Sequence, residues 1–206
     1  MSGGDAEIQF LDSGSEGNDK QGAIHPTARL LSMRRGGLIV FKKGKTYRGD
    51  VPIFIHNPVL QDIIRYSETD KRRELGGMMI GGYHTDLDIP YIEIDRYIDA
   101  RHVDSRAASI KFTHETWEDI HRRKEEAAPE SVIVGWHHTH PGYGIFLSRY
   151  DVFIQEHFFS FDYQVALVVD PCANRLGFFR WRNREIVSTG FFVIHPKPQP
   201  AGTVVS

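Results

Sequence analysis

The 206-residue sequence predicts an α/β (α+β) fold, a mixed β-sheet with helices packed on it. Three observations lead to this class. Short apolar runs rich in β-branched and aromatic residues recur along the chain, amphipathic segments with helix-start signals lie between them, and the runs outnumber these segments. Hydrophobic residues make up 40% and charged residues 25% of the chain, which is usual for a globular protein that buries one core.

The composition divides the chain into four parts. Residues 1–26 are rich in small and polar residues and are predicted to be a disordered N-terminal tail. Residues 27–50 are predicted to be an N-terminal extension with a strand or hairpin, which either pairs with the main sheet or covers its edge. Residues 51–195 form the principal domain. Residues 196–206 contain three prolines and are expected to be a disordered C-terminal tail.

The elements of the principal domain follow from the apolar pattern and its flanking residues. Strands are predicted over residues 52–55, 74–82, 91–94, 109–112, 132–136, 165–169, 177–181 and 190–194. Three helices are predicted between them. The first has Asn57 as N-cap and a proline next, the second is capped by Thr113 and runs to about residue 128, and the third begins at Ser148 and runs through residue 159.

Charge, hydropathy and cysteine content argue against several functional classes. The net charge of −2 gives no global field that would attract nucleic acid or an acidic membrane surface. No apolar run is long enough to cross a bilayer, and the N-terminus lacks the layout of a signal peptide. Cys172 is the only cysteine, so no intramolecular disulfide can form and a cytoplasmic location is expected.

Several of the 11 histidines are concentrated in the middle of the chain, in the segment GWHHTHP at residues 135–141. Side chains at positions i and i+2 of a strand point to the same face, so His138 and His140 project together while His137 faces the other way. Two imidazoles on one face supply half of a tetrahedral zinc site. The sequence therefore predicts a metal site at the end of this strand.

The third ligand is expected from the helix that follows. Ser148 is followed three residues later by Asp151, which is the pattern of a capped helix start. Asp151 would then lie in the first turn and face back toward the strand end. Two histidines and one aspartate leave the fourth position of the ion open for water, as in a catalytic zinc site.

An open zinc site also needs a base to move the proton of its water, and Glu74 is the candidate. Glu74 begins an apolar strand, where an unpaired carboxylate is costly unless it has a function. The alternative is that Glu74 pairs with one of the preceding cations, Lys71, Arg72 or Arg73.

Together these residues resemble the JAMM (MPN-type) metalloprotease family, whose motif is a glutamate, then His-x-His-Pro, then Ser-x-x-Asp. Residues 135–151 are similar, nearly residue for residue, to the catalytic segment of the proteasome-lid and signalosome deubiquitinating and deneddylating subunits. Residues 74–81 resemble the glutamate strand of that family, and residues 168–171 resemble the strand after its metal helix. The resemblance covers residues 51–194.

The resemblance implies an MPN/JAMM fold with a curved mixed sheet flanked by helices, an architecture like that of cytidine deaminases. It implies one Zn²⁺ per chain, bound by His138, His140 and Asp151. Glu74 would be the general acid and base, and Ser148 would stabilise the oxyanion. The implied activity is hydrolysis of the isopeptide bond between the C-terminus of ubiquitin or a ubiquitin-like protein and a lysine.

Three further residues border the predicted site. Tyr143, Ile145 and Phe146 are predicted to contact the substrate peptide that leads to the scissile bond, with simple loop packing as the alternative. His137 stands where eukaryotic family members often have tyrosine, which makes it an alternative ligand that strand alternation disfavours. The helices that tether lid subunits to a partner are missing, which favours a stand-alone or prokaryotic-type member.

Two other functions remain open on the sequence alone. One is maturation of a ubiquitin-like precursor, or release of a small-protein carrier, in a prokaryotic conjugation pathway. The other is a non-catalytic MPN scaffold that binds partners, although the intact Glu, His, His and Asp set argues against it. The oligomeric state is left open.

Overall fold

The computed structural model of the chain describes residues 25–28, 38–101 and 112–196. Within these ranges the chain forms ten strands and three helices. In chain order the elements are β1 (Thr27–Ala28), β2 (Leu38–Lys43), β3 (Ile53–His56), α1 (Asn57–Ser67), β4 (Gly76–Asp86), β5 (Ile89–Asp99), α2 (His114–Ala127), β6 (Val132–Thr139), α3 (Arg149–Phe158), β7 (Val165–Asp170), β8 (Arg175–Arg182), β9 (Glu185–Thr189) and β10 (Phe191–Pro196).

The described strands form one mixed sheet in the order β2-β10-β3-β5-β4-β6-β7-β8-β9, with β1 paired to β4 outside this path. Strand β6 lies next to the central strand β4, antiparallel to β4 and parallel to β7. The fold class predicted from the sequence, a mixed sheet with helices on it, is confirmed. No described helix has the length and apolar character needed to span a membrane.

The sheet is curled, because two strands from its opposite ends are joined by a single residue. Strands β9 and β10 lie near opposite ends of the strand order, yet only Gly190 separates them. Contacts between β8 and the segments at the other end confirm the approach. Arg182 donates from Nε to Oδ1 of Asp50 at 2.9 Å, and the rings of Phe178 and Phe191 lie 4.8 Å apart.

The curled sheet has an apolar core on each face. The larger cluster joins residues of β8 and β10, which come from opposite ends of the sheet, so this cluster lies on the concave face. It also contains the apolar side of α1. The opposite face packs against α2 and α3. Central members of the concave cluster are Ile55, Ile63, Met79, Val134, Leu167 and Phe178.

Helix α3 is fixed to β6 by one buried amide. The side chain of Gln155 is fully buried, and its Oε1 accepts a hydrogen bond from Nε1 of Trp136 at 2.8 Å. Its Nε2 donates to the carbonyl oxygens of Phe159 at 2.8 Å and Gln164 at 3.2 Å. These three bonds satisfy the amide and set the position of α3 on the sheet.

Strand β4 approaches its neighbours closely at an irregular point. Its register shifts between Ile80 and Gly81 against β5, and between Met79 and Ile80 against β6. Such irregularities bend a strand and increase its twist. A Cβ at Gly81 would lie 1.8 Å from the carbonyl oxygen of Glu93, so only glycine allows this approach.

The helix starts test the capping predictions. Thr113 and Ser148 are the N-caps of α2 and α3, as predicted, and each side chain accepts a backbone hydrogen bond. The prediction of Asn57 as the first cap is wrong, since His56 is the N-cap of α1 and no side chain caps it. The reason is that β3 runs directly into α1, and the imidazole of His56 is 2.8 Å from Glu93 instead.

Two strand predictions also differ from the structure. Strand β4 begins at Gly76 rather than at Glu74, so Glu74 lies just before the strand. Strand β9 was not expected, because the β8–β9 turn uses Asn183 and Arg184 at positive φ without the glycine that marks most such turns. The N-terminal extension contributes β2, which pairs with β10 at the edge of the sheet.

The other predicted segments lie largely outside the described residues. These are most of the tails over residues 1–26 and 196–206, and most of the strand expected over residues 109–112.

We expect Gly81→Ala to lower the free energy of unfolding by about 1–3 kcal/mol, because the added methyl group meets the backbone of β5. Urea unfolding followed by tryptophan fluorescence measures this. Ser188→Ala is the control, since Ser188 is exposed on β9 and its loss should change stability by about 0.5 kcal/mol at most. Equal effects of the two substitutions would contradict the close approach.

We expect Gln155→Leu to destabilise the protein by about 3 kcal/mol, because the Trp136 N–H and two carbonyl oxygens lose their buried partner. The same unfolding measurement applies. Gln61→Leu makes the identical change on the exposed side of α1 and should have little effect. A Gln155→Leu protein as stable as this control would show that the amide does not fix α3.

Candidate functional site

His138 and His140 lie together where β6 ends. His138 pairs across the sheet with Gly76 and Val168, and the backbone N–H of His140 donates to the carbonyl oxygen of Val169 at 2.8 Å. Both side chains are buried, and their Nε2 atoms are 3.2 Å apart. The strand alternation predicted from the sequence is therefore present.

Asp151 reaches this pair from the first turn of α3. Ser148 and Asp151 form a capping box, in which Ser148 N donates to Asp151 Oδ2 at 2.6 Å and Asp151 N donates to Ser148 Oγ at 3.2 Å. The same Oδ2 is 3.3 Å from Nε2 of His138 and 3.3 Å from Nε2 of His140. The cap therefore also orients the carboxylate.

The three donor atoms fit a zinc ion. Their separations of 3.2, 3.3 and 3.3 Å form a nearly equilateral triangle. A tetrahedral ion with bonds of about 2.0–2.1 Å has edges of roughly 3.3 Å between its ligands. Two Nε2 atoms can share at most one hydrogen bond, whereas both can bind one cation. His138, His140 and Asp151 are also the only cluster of potential metal ligands found within the described residues.

The electrostatics of the three residues suit ligation. Burial favours the neutral acid of Asp151, but the hydrogen bonds with His138 and His140 outweigh it and lower the pKa of the carboxyl. Burial lowers the pKa of His138. Burial acts in the same direction on His140, but Asp151 outweighs it and raises the pKa of that imidazole. At neutral pH the site thus offers a carboxylate and a neutral His138, the forms that bind metal.

Glu74 lies beside this cluster. Its Oε1 is 3.8 Å from Nε2 of His140. The neighbouring residue Leu75 fixes the backbone to the end of β6, because Leu75 N donates to Oγ1 of Thr139 at 2.8 Å and Thr139 N donates to the Leu75 carbonyl oxygen at 2.8 Å. Arg73, one of the cations considered as a partner, pairs with Asp70 at 2.7 Å.

His137 is not a ligand. Its Nε2 is 3.0 Å from Oγ of Ser67 on α1, and its Nδ1 is 3.0 Å from the hydroxyl of Tyr97. Both nitrogens are therefore occupied on the opposite face of β6. Burial lowers the pKa of His137 to about 3, so the ring is neutral at physiological pH. The alternative that His137 binds the metal is wrong.

Asp170 holds the loop of residues 141–147 that follows the second histidine. Its carboxylate accepts hydrogen bonds from the backbone N–H groups of Gly142 and Gly144, both at 3.0 Å. It also accepts from Cys172 at 2.9 Å and Ala173 at 3.1 Å. This role of Asp170 was not predicted from the sequence. The available signal was an acid at a strand end together with a Gly-x-Gly loop.

The three predicted substrate residues have different surroundings. The side chain of Phe146 is 44% exposed, and its ring lies 4.7 Å from that of His140. Tyr143 is 74% exposed. Ile145 covers Gly177 of β8, where a Cβ would come within 2.6 Å of its side chain. Loop packing therefore accounts for Ile145, while Tyr143 and Phe146 are accessible to a ligand.

Trp136 also supports the site, which the sequence analysis did not foresee. Its ring stacks on that of His138, with centroids 4.4 Å apart and planes inclined by 12°. Because Gln155 holds the indole N–H, this stack links α3 to the first histidine. The spacing of two residues along β6 was the signal that could have indicated it.

The similarity of the chain to known proteins agrees with the geometry of the site. Residues 51–163 match the family profile described as "JAB1/Mov34/MPN/PAD-1 ubiquitin protease". The 26S proteasome non-ATPase regulatory subunit 14 of Caenorhabditis elegans is 26% identical over 148 residues, which are 70% of this chain and 44% of that protein. The ubiquitin carboxyl-terminal hydrolase RPN11 of Saccharomyces cerevisiae is 24% identical over 153 residues, which are 71% and 47%.

Two other similarities are more limited. A stretch of 79 residues, 38% of this chain, is 35% identical to 24% of the NAD(+) hydrolase TcpA of Theionarchaea archaeon (strain DG-70-1). The solution structure of protein DSY2949 from Desulfitobacterium hafniense matches with a TM-score of 0.52 at 15% identity, over 68% of this chain and 92% of that one.

The chain spans less than half the length of these three curated relatives. The family match covers more than half of the chain and includes Glu74, both histidines and Asp151, so the chain belongs to the JAMM (MPN) family.

Proposed function

We propose that the chain is a zinc-dependent isopeptidase of the cytoplasm. Its substrate is a conjugate in which the C-terminus of ubiquitin or a ubiquitin-like protein is joined to a lysine of a target. The observation that carries the proposal is the triangle of donor atoms from His138, His140 and Asp151, with Glu74 beside it. Membership of a family described as a ubiquitin protease supports the substrate class.

His138, His140 and Asp151 would hold one Zn²⁺ per chain. When bound, the ion would supply a polarised scissile carbonyl and a water whose pKa is lowered to about 7. Three protein ligands leave one position of a tetrahedral site for water or substrate. All three residues are buried, so a bound ion would lie in surroundings of low polarity, which would strengthen its electrostatic effect.

Glu74 has the position that a proton carrier requires. Its carboxylate lies at the edge of the ligand cluster, 3.8 Å from His140 Nε2, and its backbone is held through Leu75 and Thr139. The carboxylate takes a proton from the attacking water and then donates it to the departing lysine amine. Removing the carboxylate while keeping the metal ligands should therefore stop turnover.

Ser148 is the proposed donor to the oxyanion. Its Oγ accepts the hydrogen bond from Asp151 N, which fixes the side chain beside the third ligand. The hydroxyl can then donate to the carbonyl oxygen as negative charge develops on it.

Tyr143 and Phe146 are the proposed contacts for the tail of the ubiquitin-like protein. Both are exposed on a loop that Asp170 anchors, and Phe146 contacts His140. A glycine-rich tail suits a narrow groove because it has no side chains to exclude. It would bind extended, as a peptide does when it adds to the edge of a sheet.

The metal site is tested by zinc content. We expect protein purified without chelator to bind one Zn²⁺ per chain, and His138→Ala to lower the affinity by about 100-fold or more, because one of three ligands is lost. Elemental analysis and competition with a chromophoric chelator measure this. His114→Ala removes an exposed histidine on α2 and should bind zinc normally. Wild-type protein without zinc would favour the non-catalytic scaffold.

The role of Glu74 is tested by turnover. We expect Glu74→Gln to retain zinc and to lose about 10³-fold or more in kcat, because the proton carrier is lost. The assay uses lysine-linked conjugates of ubiquitin and of ubiquitin-like proteins, with linear fusions in parallel. Glu68→Gln, on the exposed loop after α1, is the control. Equal rates would exclude Glu74 from the mechanism, and cleavage of linear fusions alone would indicate precursor processing.

A further inference from the structure

The loop between α1 and β4 forms a basic cleft immediately before Glu74. The cleft has a volume of about 690 Å³ and is lined by Thr69, Asp70, Lys71, Arg72 and Arg73. Neither the family match nor the ligand cluster assigns a role to these residues. A run of cations is often only a solvated surface. A binding role for this loop therefore depends on whether its backbone is held in one conformation and on where it lies relative to Glu74.

The loop is held in a defined shape by Asp70. Its Oδ1 accepts hydrogen bonds from the backbone N–H groups of Arg72 at 2.8 Å and Arg73 at 3.2 Å, and its Oδ2 accepts from Nε of Arg73 at 2.7 Å. The backbone hydrogen bond from Arg72 and the side-chain bond from Arg73 lower the pKa of Asp70, which keeps it ionised. The charge of Arg73 is therefore paired within the loop.

Lys71 and Arg72 are the two remaining cations. Both are exposed, and neither side chain forms an ion pair within the part of the chain that the structure describes. Their Cα atoms are separated from that of Glu74 by at most about 11 Å and 8 Å of extended chain. Glu74 in turn lies 3.8 Å from His140. Lys71 and Arg72 therefore lie on the segment that leads directly into Glu74, beside the ligand cluster.

The proposed mechanism determines whether the target or the ubiquitin-like protein lies beside Lys71 and Arg72. This step rests on the proposed function. Glu74 must pass its proton to the departing amine, so the lysine of the target lies next to Glu74. The apolar loop with Phe146 borders His140 from a different segment and is assigned to the tail of the ubiquitin-like protein. The loop of Lys71 and Arg72 therefore lies beside the target polypeptide.

We propose that Lys71 and Arg72 form an anion-binding subsite that selects targets with aspartate or glutamate next to the modified lysine. Each exposed charge pair is worth roughly a threefold change in binding, so two such pairs give about tenfold. Because the subsite lies at the surface, this preference should weaken as salt is raised.

The test uses synthetic isopeptides in which one tail peptide is joined to the lysine of a target peptide. The target peptides differ only in the two residues that flank this lysine, which are Glu, Gln or Lys. We expect kcat/KM of the zinc-loaded wild type to be at least about tenfold higher for the Glu peptide than for the Lys peptide, mainly through KM. The ratio should fall to one or below in Lys71→Glu/Arg72→Glu, and to about one in Lys71→Gln/Arg72→Gln.

Lys42→Glu/Lys43→Glu is the matched control. It makes the same change in net charge on exposed residues of β2, five places from β6 in the strand order, and should keep the wild-type ratio. A second readout needs no turnover. Glu74→Gln protein should bind a fluorescent Glu-flanked isopeptide at least about tenfold more tightly than the Lys-flanked one in an anisotropy titration, and this difference should shrink at high salt.

The outcomes separate the subsite from the proposed function. No cleavage of any isopeptide would overturn the isopeptidase proposal itself. Cleavage at equal rates for the three target peptides, or a preference that survives in both Lys71/Arg72 variants, would overturn only the subsite. A preference that follows acidic residues placed in the tail peptide instead would overturn the assignment to the target side.

Discussion

The docking of α3 against β6 is the constraint on which the candidate site depends. The two histidines are fixed by the sheet, but the third donor atom comes from a separate helix. That helix is positioned by the buried amide of Gln155, which binds Trp136 on β6 and the carbonyl oxygens of Phe159 and Gln164. A shift of about 1 Å would destroy the triangle of donor atoms, so the hydrogen bonds of a residue outside the site define its geometry.

Polar side chains that form several hydrogen bonds organise the surroundings of the ligands. Three polar side chains near the ligands each hold more than one part of the structure. The Asp151 carboxylate caps α3 as well as facing the imidazoles, and Thr139 pins the backbone beside Glu74. Asp170 satisfies four backbone N–H groups of two loops at once. Such sharing lets a few carboxylates and hydroxyls organise the site, while Nδ1 of His138 and Nδ1 of His140 stay buried without a hydrogen-bond partner in the described part of the chain.

The sequence predicted the parts of the site that depend on local geometry. Strand alternation placed His138 and His140 on one face and His137 on the other, and the Ser148 pattern predicted the start of α3. Its failures involve contacts distant in sequence or a turn that lacks the usual glycine. The start of α1 at His56 depends on a hydrogen bond to Glu93, the roles of Trp136 and Gln155 depend on how α3 docks, and β9 turns through Asn183 and Arg184 without glycine. Local patterns contain no information about such partners.

The place of β10 in the sheet has a consequence for how the protein folds. This strand is the last described element along the chain, yet it is inserted between β2 and β3, the earliest strands of the main path. During synthesis one edge of β3 therefore stays unpaired until β10 has left the ribosome. Pairings of such long sequence separation form slowly, and an exposed strand edge invites association with other chains. Completion of the sheet by β10 is thus expected to be a late step in folding and the one most sensitive to aggregation.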